Sequence, residues 1–331
     1  MDLTPADTPE NGREFVTATA RIDTEREGMR MQEALVGLFP DWLPSRKSCR
    51  KAIDRGEVRC DGQTATTALR VSEGQEVQLV LRPTAAINPG PSAPRTLKMV
   101  RTPKADYLLV WKPAGLATTG SGPLTLARVL AFKASKGSEE EQDLLRPLKR
   151  DALPHPHPVH RLDRATSGWV CVALNLSASA SLGEAFAKRT VEKRYLALVA
   201  GTLKSGRSEE PIEGQSAKTQ WTALAHGPIP VHENATLLDI RIETGRTHQI
   251  RRHLSERGHP IVGEDLYCAP GRDIRSAPRF SGSGLLLCAY ALTIPEGSHG
   301  PGTQAHGTVP RKFRRFRWVE AALSNQEMEA S

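Results

Sequence analysis

Between Ala235 and Leu254 the apolar residues change period. In ATLLDIRIETG, Leu238, Ile240 and Ile242 alternate with Asp239, Arg241 and Glu243, the pattern of a strand with one buried face. Beyond Gly245, Ile250 and Leu254 recur at helical spacing, with Thr247 placed to cap the helix and Gly258 to stop it. A strand that gives way to a helix at one glycine commits this part of the chain to mixed α and β structure. The same exchange runs upstream. YLLVWK reads as a strand ended by Pro113, WVCVAL as a buried strand, SLGEAFAKRTV as a helix with Leu182, Ala185 and Phe186 on one face, and RYLALV as a further strand. GLLLCAYALTI supplies a last strand, and no internal repeat is evident. The expected fold class is α+β, with a mixed, mainly antiparallel sheet and a central cleft.

A different composition precedes this region. Residues 83–104, PTAAINPGPSAPRTLKMVRTPK, are rich in proline and small residues and read as a linker. Before it, Met31, Leu35, Leu38 and Phe39 fall at helical spacing up to Pro40. A second short helix follows, with Ser45 as its cap and Gly56 as its stop, and with Arg46, Lys47, Arg50, Lys51 and Arg55 along it. Val58–Cys60, an Asp61-Gly62 turn and EGQEVQLVL then read as short strands. The expected division is a leader over 1–26, a small α/β module over 27–82, the linker, a main domain over 105–320 and a frayed tail over 321–331.

Lysine and arginine total 45 against 37 acidic residues, a formal charge of +8 that favours a polyanionic partner. The five cysteines form no CxxC pair and are odd in number, which suggests neither structural zinc nor a disulfide framework and fits a reducing compartment. No run approaches the roughly 18 apolar residues that span a bilayer, and the polar start carries no apolar signal core. The chain reads as cytoplasmic.

The stretch HRLDRATSG, residues 160–168, sets Asp163 between Arg161 and Arg164, a positive setting that favours a carboxylate. By itself this is also the composition of a surface ion pair. A second arginine-rich element, ETGRTHQIRRHL, puts Arg246 at the strand-to-helix turn and Arg251 one step from the apolar Ile250. A buried arginine requires a carboxylate, and Asp163 is the candidate by residue type.

VHRLDRATSG resembles the signature of the RluA family of pseudouridine synthases, HRLDxxTSG. LLVWKPAGL, EKRYLALVAG, ETGRTHQIRRHLSERGHPIVGEDLY and LLLCAYAL follow in the family's order, and the segment SRKSCRKAIDRGEVRCDG resembles the S-four-like RNA-binding module first described in a small-subunit ribosomal protein. The resemblance implies a pseudouridine synthase domain that isomerises uridine within RNA. The bond from ribose C1′ to N1 breaks, the base turns, and C1′ joins C5, with no cofactor and no metal required.

It implies residue roles as well. Asp163 matches the family's catalytic aspartate, Arg251 the arginine that pairs with it, and Tyr195 the tyrosine that packs on the target base and assists removal of the C5 proton. Ile250 would touch the base. Arg161 matches an arginine that fills the gap left by a flipped nucleotide, since a stacked uridine must leave the helix to react. Lys112, Arg164 and Arg246 would be RNA or support contacts, and Arg46, Lys47, Arg50 and Lys51 would lie on phosphates. The implied partner is RNA, ribosomal in first place and transfer RNA in second, bound by a monomer without a membrane.

This chain has Gly263-Glu264-Asp265 where the family has Gly-Asp, and Cys288-Ala289 where it has His-Ala, changes expected to leave the centre untouched. SKGSEEEQDLLRPLKRDALPHPHP reads as an extended loop whose His155 and His157 lack neighbouring ligands for a metal. RKFRRFRW, 311–318, interleaves cations with aromatics and fits either RNA contact or an amphipathic strand. Two other functions compete: a non-catalytic RNA-binding or ribosome-assembly factor on the same scaffold, and a carboxylate glycosidase, which would need a second acid.

Overall fold

Strand β1 (Phe15–Arg21) pairs antiparallel with β4 (Glu76–Leu81), and β4 in turn with β2 (Val58–Cys60), which forms a hairpin with β3 (Gln63–Thr64). The hairpin turns at Asp61 and Gly62, both at positive φ (47° and 80°), as its two-residue loop demands. Between β1 and β2 lie a 3-10 turn (Thr24–Arg26), α1 (Met31–Ala34) and α2 (Arg46–Asp54). Ser45 and Ser48 form a reciprocal capping box at the start of α2, and Cys49, Ala52 and Ile53 bury its inner face. The opposite face leaves Arg46, Lys47, Arg50 and Lys51 exposed.

This is the first of two units, Met1–Ile87 and Asn88–Ser331, in a computed structural model that describes residues 15–39, 43, 45–81, 92–120, 124–148, 151–230, 232–267, 284–297, 299–307 and 309–329.

The second unit holds, in chain order, β5 (Met99–Val100), β6 (Tyr107–Lys112), α3 (Leu126–Lys136), α4 (Glu139–Leu144), β7 (Ala152–Pro158), β8 (Ser167–Asn175) and α5 (Leu176–Ala187). There follow β9 (Glu192–Ala200), β10 (Gly206–Ser208), β11 (Thr219–Ile229), β12 (His232–Ile242), α6 (Gln249–Glu256), β13 (Leu287–Ile294), β14 (Thr303–His306), α7 (Arg311–Arg314) and α8 (Arg317–Glu329). Their strands make one sheet in the order β10-β11-β12-β9-β13-β8-β6-β5, with β14 added on β13 and β7 on β8. Among the described residues, every pairing between these strands is antiparallel except β8 with β13, where Ser167 faces Cys288 and Gly168 faces Ala289. The fold is therefore α+β with a mixed, mainly antiparallel sheet.

Helices cover both faces of β6 and β8, which is why these strands are apolar without interruption. Leu108, Val110, Val170 and Val172 share a core with Leu126, Val129 and Leu130 of α3. Tyr107, Leu109, Trp169 and Cys171 face the other way, toward Ala178 and Leu182 of α5.

Several sequence expectations are corrected. The segment assigned to a leader contains β1, whose backbone completes the first sheet; residues 1–14 lie outside the described residues. The expected linker ends early, since Met99 and Val100 pair with Val110 and Leu109. The 136–158 loop is instead α4 and β7: Ser138 and Glu141 cap α4, and Arg101 holds its end by donating to the carbonyls of Leu144 (3.0 Å) and Arg146 (2.7 Å). Acidic residues in the first turn of α4 suit its dipole. RKFRRFRW is helical, with Phe313, Phe316 and Val319 buried, and the expected tail continues as α8. β12 is covered on both faces in its centre, where even Asp239 is buried beside Arg194.

Gly168 opens β8 at φ 138°, and a Cβ there would meet the Ala289 carbonyl oxygen at 2.3 Å. That contact is backbone, so nothing nearby can give way. Gly168→Ala should cost on the order of 3 kcal/mol in urea unfolding. Gly214→Ala, also at positive φ but facing open space, should cost only about 1 kcal/mol.

Candidate functional site

Asp163 lies in the turn that links β7 to β8, and the backbone on each side of it is fastened to the segment after β6. The Thr118 hydroxyl donates to the Leu162 carbonyl (2.9 Å) and accepts from the Leu162 N–H (3.0 Å). Gly115 N–H donates to the Arg164 carbonyl (2.7 Å), and Arg164 Nε returns a hydrogen bond to the Gly115 carbonyl (2.9 Å). Beneath them the fully buried Lys112 Nζ donates to the carbonyls of Pro113 (3.2 Å), Leu116 (2.8 Å) and Asp163 (3.1 Å). Lys112 thus holds the loop from within rather than projecting as a free phosphate contact, while Arg164 ties it through Nε and stays exposed.

His160 secures the upstream end. Its Nε2 accepts the Cys171 N–H (2.9 Å) and its ring stacks on Phe186. Burial, reinforced by Lys193, pushes the imidazole down to about 3, so it stays neutral. Thr166 N–H closes the turn on the Asp163 carbonyl (3.0 Å). The Asp163 side chain keeps 19% of its surface.

Tyr195 comes from β9 and is buried. Burial first, then the nearby Asp163 and Cys288, push its hydroxyl above the ordinary phenol range, so it is a neutral phenol and not a base in the free protein. Ile250, in the first turn of α6, is packed in the same core.

The expected pairing of Arg251 with Asp163 is corrected. Arg251 is buried and forks onto Glu264, Nε to Oε2 at 2.8 Å and Nη2 to Oε1 at 2.5 Å, with Asp265 at 3.1 Å. Burial opposes its charge, and Glu264 more than restores it, with Asp163 and then Asp265 contributing at longer range. A planar guanidinium out of water takes the carboxylate that can meet it at two points. The Glu264 side chain is itself 2% exposed, so the substitution within Gly263-Glu264-Asp265 touches the centre. So does Cys288, whose thiol burial pushes up to about 12 and which acts on Tyr195.

Asp163 has a different neighbour. His248 Nε2 stands 3.7 Å from its Oδ1, while His248 Nδ1 is 2.9 Å from the Tyr267 hydroxyl. His248, not Thr247, is the N-cap of α6; it sits in the left-handed region (φ 54°, ψ 28°) and makes no side-chain cap bond. Histidine tolerates that region better than most residues, though at a cost of about 1 kcal/mol or more.

Arg161 is exposed and makes no ion pair among the described residues. Arg246 is tied by Nε to the Ser216 carbonyl (3.1 Å). Lys312, from the cation-aromatic segment, turns inward to the Leu285 carbonyl, and burial lowers its pKa. Sequence reasoning missed Thr118 and His248, set Glu264 aside as a departure away from the centre, and placed Lys312 only within a cation-aromatic string. Only the position of His248 inside THQIR and the departure at Glu264 offered a signal. No group of three or more potential metal ligands occurs among the described residues.

Residues 106–256 match the family described as RNA pseudouridylate synthase. The chain is 34% identical over 269 residues to a ribosomal large subunit pseudouridine synthase D of Xanthomonas campestris pv. campestris, covering 75% of this chain and 74% of that protein. It is 32% identical over 254 residues to the like-named protein of Nitrosomonas europaea, covering 72% and 69%. Among solved structures, human RNA pseudouridylate synthase domain containing 1 superposes with a TM-score of 0.50 at 25% identity, over 70% of this chain and 90% of that one.

Burial, with a smaller contribution from Lys312 and a partial offset from Asp163, pushes Lys112 from 10.5 down to about 8. Between those values the unfolded chain binds more protons than the folded one, so this group adds stability as pH rises from about 8 to 10.5. Urea unfolding across that window should show a positive slope in the native protein relative to Lys112→Met. At pH 7 Lys112→Met should lose roughly 1–3 kcal/mol, because the Pro113 and Leu116 carbonyls are left without a donor.

Proposed function

Because this chain belongs to the RNA pseudouridylate synthase family, we propose that it isomerises uridine in large-subunit ribosomal RNA with Asp163 as the reacting carboxylate. It is an RNA pseudouridine synthase. Reactant and product are isomers: the C1′–N1 bond is exchanged for a C1′–C5 bond, the C5 proton leaves and N1 gains one. Attack on the sugar, attack on the base and removal of a ribose proton all demand the same thing, an anionic oxygen held still and open to an extrahelical nucleotide.

One observation carries the role of Asp163. Its backbone is fixed on both sides by Lys112, Gly115 and Thr118, while its side chain stays partly open. Arg251, occupied by Glu264, contributes positive charge without a direct bond to the reacting oxygens. Tyr195, as a neutral phenol, offers a flat face to the base and a proton to donate. Flipping the uridine costs a few kcal/mol of stacking, and the exposed Arg161 is free to refill the gap. Ile250 would border the base, and Arg246 would support the α6 turn.

The first unit supplies the RNA-binding module. Its exposed Arg46, Lys47, Arg50 and Lys51 make a phosphate-binding face on α2, as the S-four-like resemblance implies. We further propose that the enzyme acts as a monomer in the cytoplasm. No helix among the described residues is long and apolar enough to cross a membrane.

Tritium release from RNA labelled at uridine C5 tests the assignment. Asp163→Asn should lower release by about a thousandfold or more and leave RNA affinity within about twofold, since phosphates supply most of it. Release at the wild-type rate would refute the role of Asp163. Release from transfer RNA but not ribosomal RNA would move the substrate. Replacing the four cations of α2 with alanine should lower the slope of log K against log salt by about three, and an unchanged slope would remove α2 from the interface.

A further inference from the structure

We propose that His248 is a positioning residue for Asp163, holding the carboxylate for reaction through its Nε2 with the ring fixed by Tyr267. The proposal rests on Asp163 being the reacting group. Three observations support it. His248 Nε2 is 3.7 Å from Asp163 Oδ1, one small side-chain rotation from a hydrogen bond. The other ring nitrogen, Nδ1, is 2.9 Å from the Tyr267 hydroxyl, and the two rings meet edge to face. A phenol that donates to Nδ1 leaves the ring proton on Nε2, facing the carboxylate.

The third observation is the backbone. His248 takes a left-handed conformation at the start of α6 and yet makes none of the capping hydrogen bonds that usually occupy an N-cap side chain. The imidazole is turned instead toward the Asp163 loop. The arginine that could compete for that place is held elsewhere, since Arg251 forks onto Glu264 and reaches Asp265.

The groups around His248 define its electrostatic setting. Asp163 faces it from the loop before β8, and Tyr267 from the segment after α6. Arg251 lies over the Tyr267 ring at 5.5 Å, and Glu264 and Asp265 are bound to Arg251. Lys112 lies beneath the Asp163 backbone. An N–H lent by His248 orients Asp163 and leaves its charge free to act.

Single-turnover tritium release, RNA affinity and thermal unfolding would be measured for wild type, His248→Gly, Tyr267→Phe and Asp163→Asn. Glycine suits the left-handed backbone, so His248→Gly should fold. It should turn over at least about tenfold more slowly with RNA affinity unchanged, and added imidazole should restore part of the rate. Tyr267→Phe should slow turnover several-fold.

A wild-type rate in His248→Gly would overturn the proposal. So would a slow variant that imidazole does not rescue, because that is the signature of a structural role alone. An active Asp163→Asn would instead overturn the role of Asp163 itself. An inactive Asp163→Asn beside a normal His248→Gly would remove only His248.

Discussion

An ammonium group removed from water must place all three of its protons on acceptors, and Lys112 places them on the carbonyls of Pro113, Leu116 and Asp163. Two of these acceptors follow it closely in sequence and one lies 51 residues on. The burial of a single charge therefore joins the end of β6 to the loop before β8. Gly115 with Arg164 and Thr118 with Leu162 repeat the join a residue to either side of Asp163. The segments WKPAGLAT and HRLDRATSG are two halves of one hydrogen-bonded unit, and its rigidity comes from backbone contacts that leave the carboxylate itself uncommitted.

Around that unit the charges are sorted by how well each pair fits. The Arg251 fork finds a two-point match in Glu264, so it is satisfied away from Asp163. Lys312 is spent on the Leu285 carbonyl. Asp163 is left with a weakly engaged imidazole and the more distant charges of Arg251 and Lys112. A tighter partner would hold the carboxylate more firmly but would also compete with a substrate for its oxygens.

The sheet was legible in the sequence wherever periodicity was unambiguous. YLLVWK, WVCVAL and RYLALV became β6, β8 and β9, and the Ser45 cap and Asp61-Gly62 turn stood where their local chemistry put them. Elements defined by partners distant in sequence were not legible. β1 is a strand because β4 lies beside it, and β7, with three prolines, because β8 does. RKFRRFRW forms a short helix, a turn and the start of a second helix that bury Phe313 and Phe316, an arrangement that a mixed cation-aromatic string does not distinguish from a strand. At the site, residue types indicated that Arg251 needed a carboxylate but not which one. Choosing between Asp163 and Glu264 depends on distance and orientation, and no spacing rule encodes either.

The parallel pairing of β8 with β13 bears on when the site comes into existence. β5 to β8 and β9 to β12 each pair locally, but β13 lies between the two groups, and it joins Ser167 to Cys288, roughly 120 residues later. Closing so long a loop is entropically slow. Asp163 rides on one group, while Tyr195 and Arg251 belong to the other. A chain emerging from the ribosome would have both groups synthesised before β13 had been made. The residues gathered around Asp163 would meet only once Leu287–Ile294 lay between the two groups, so one strand made late governs the assembly of parts made much earlier.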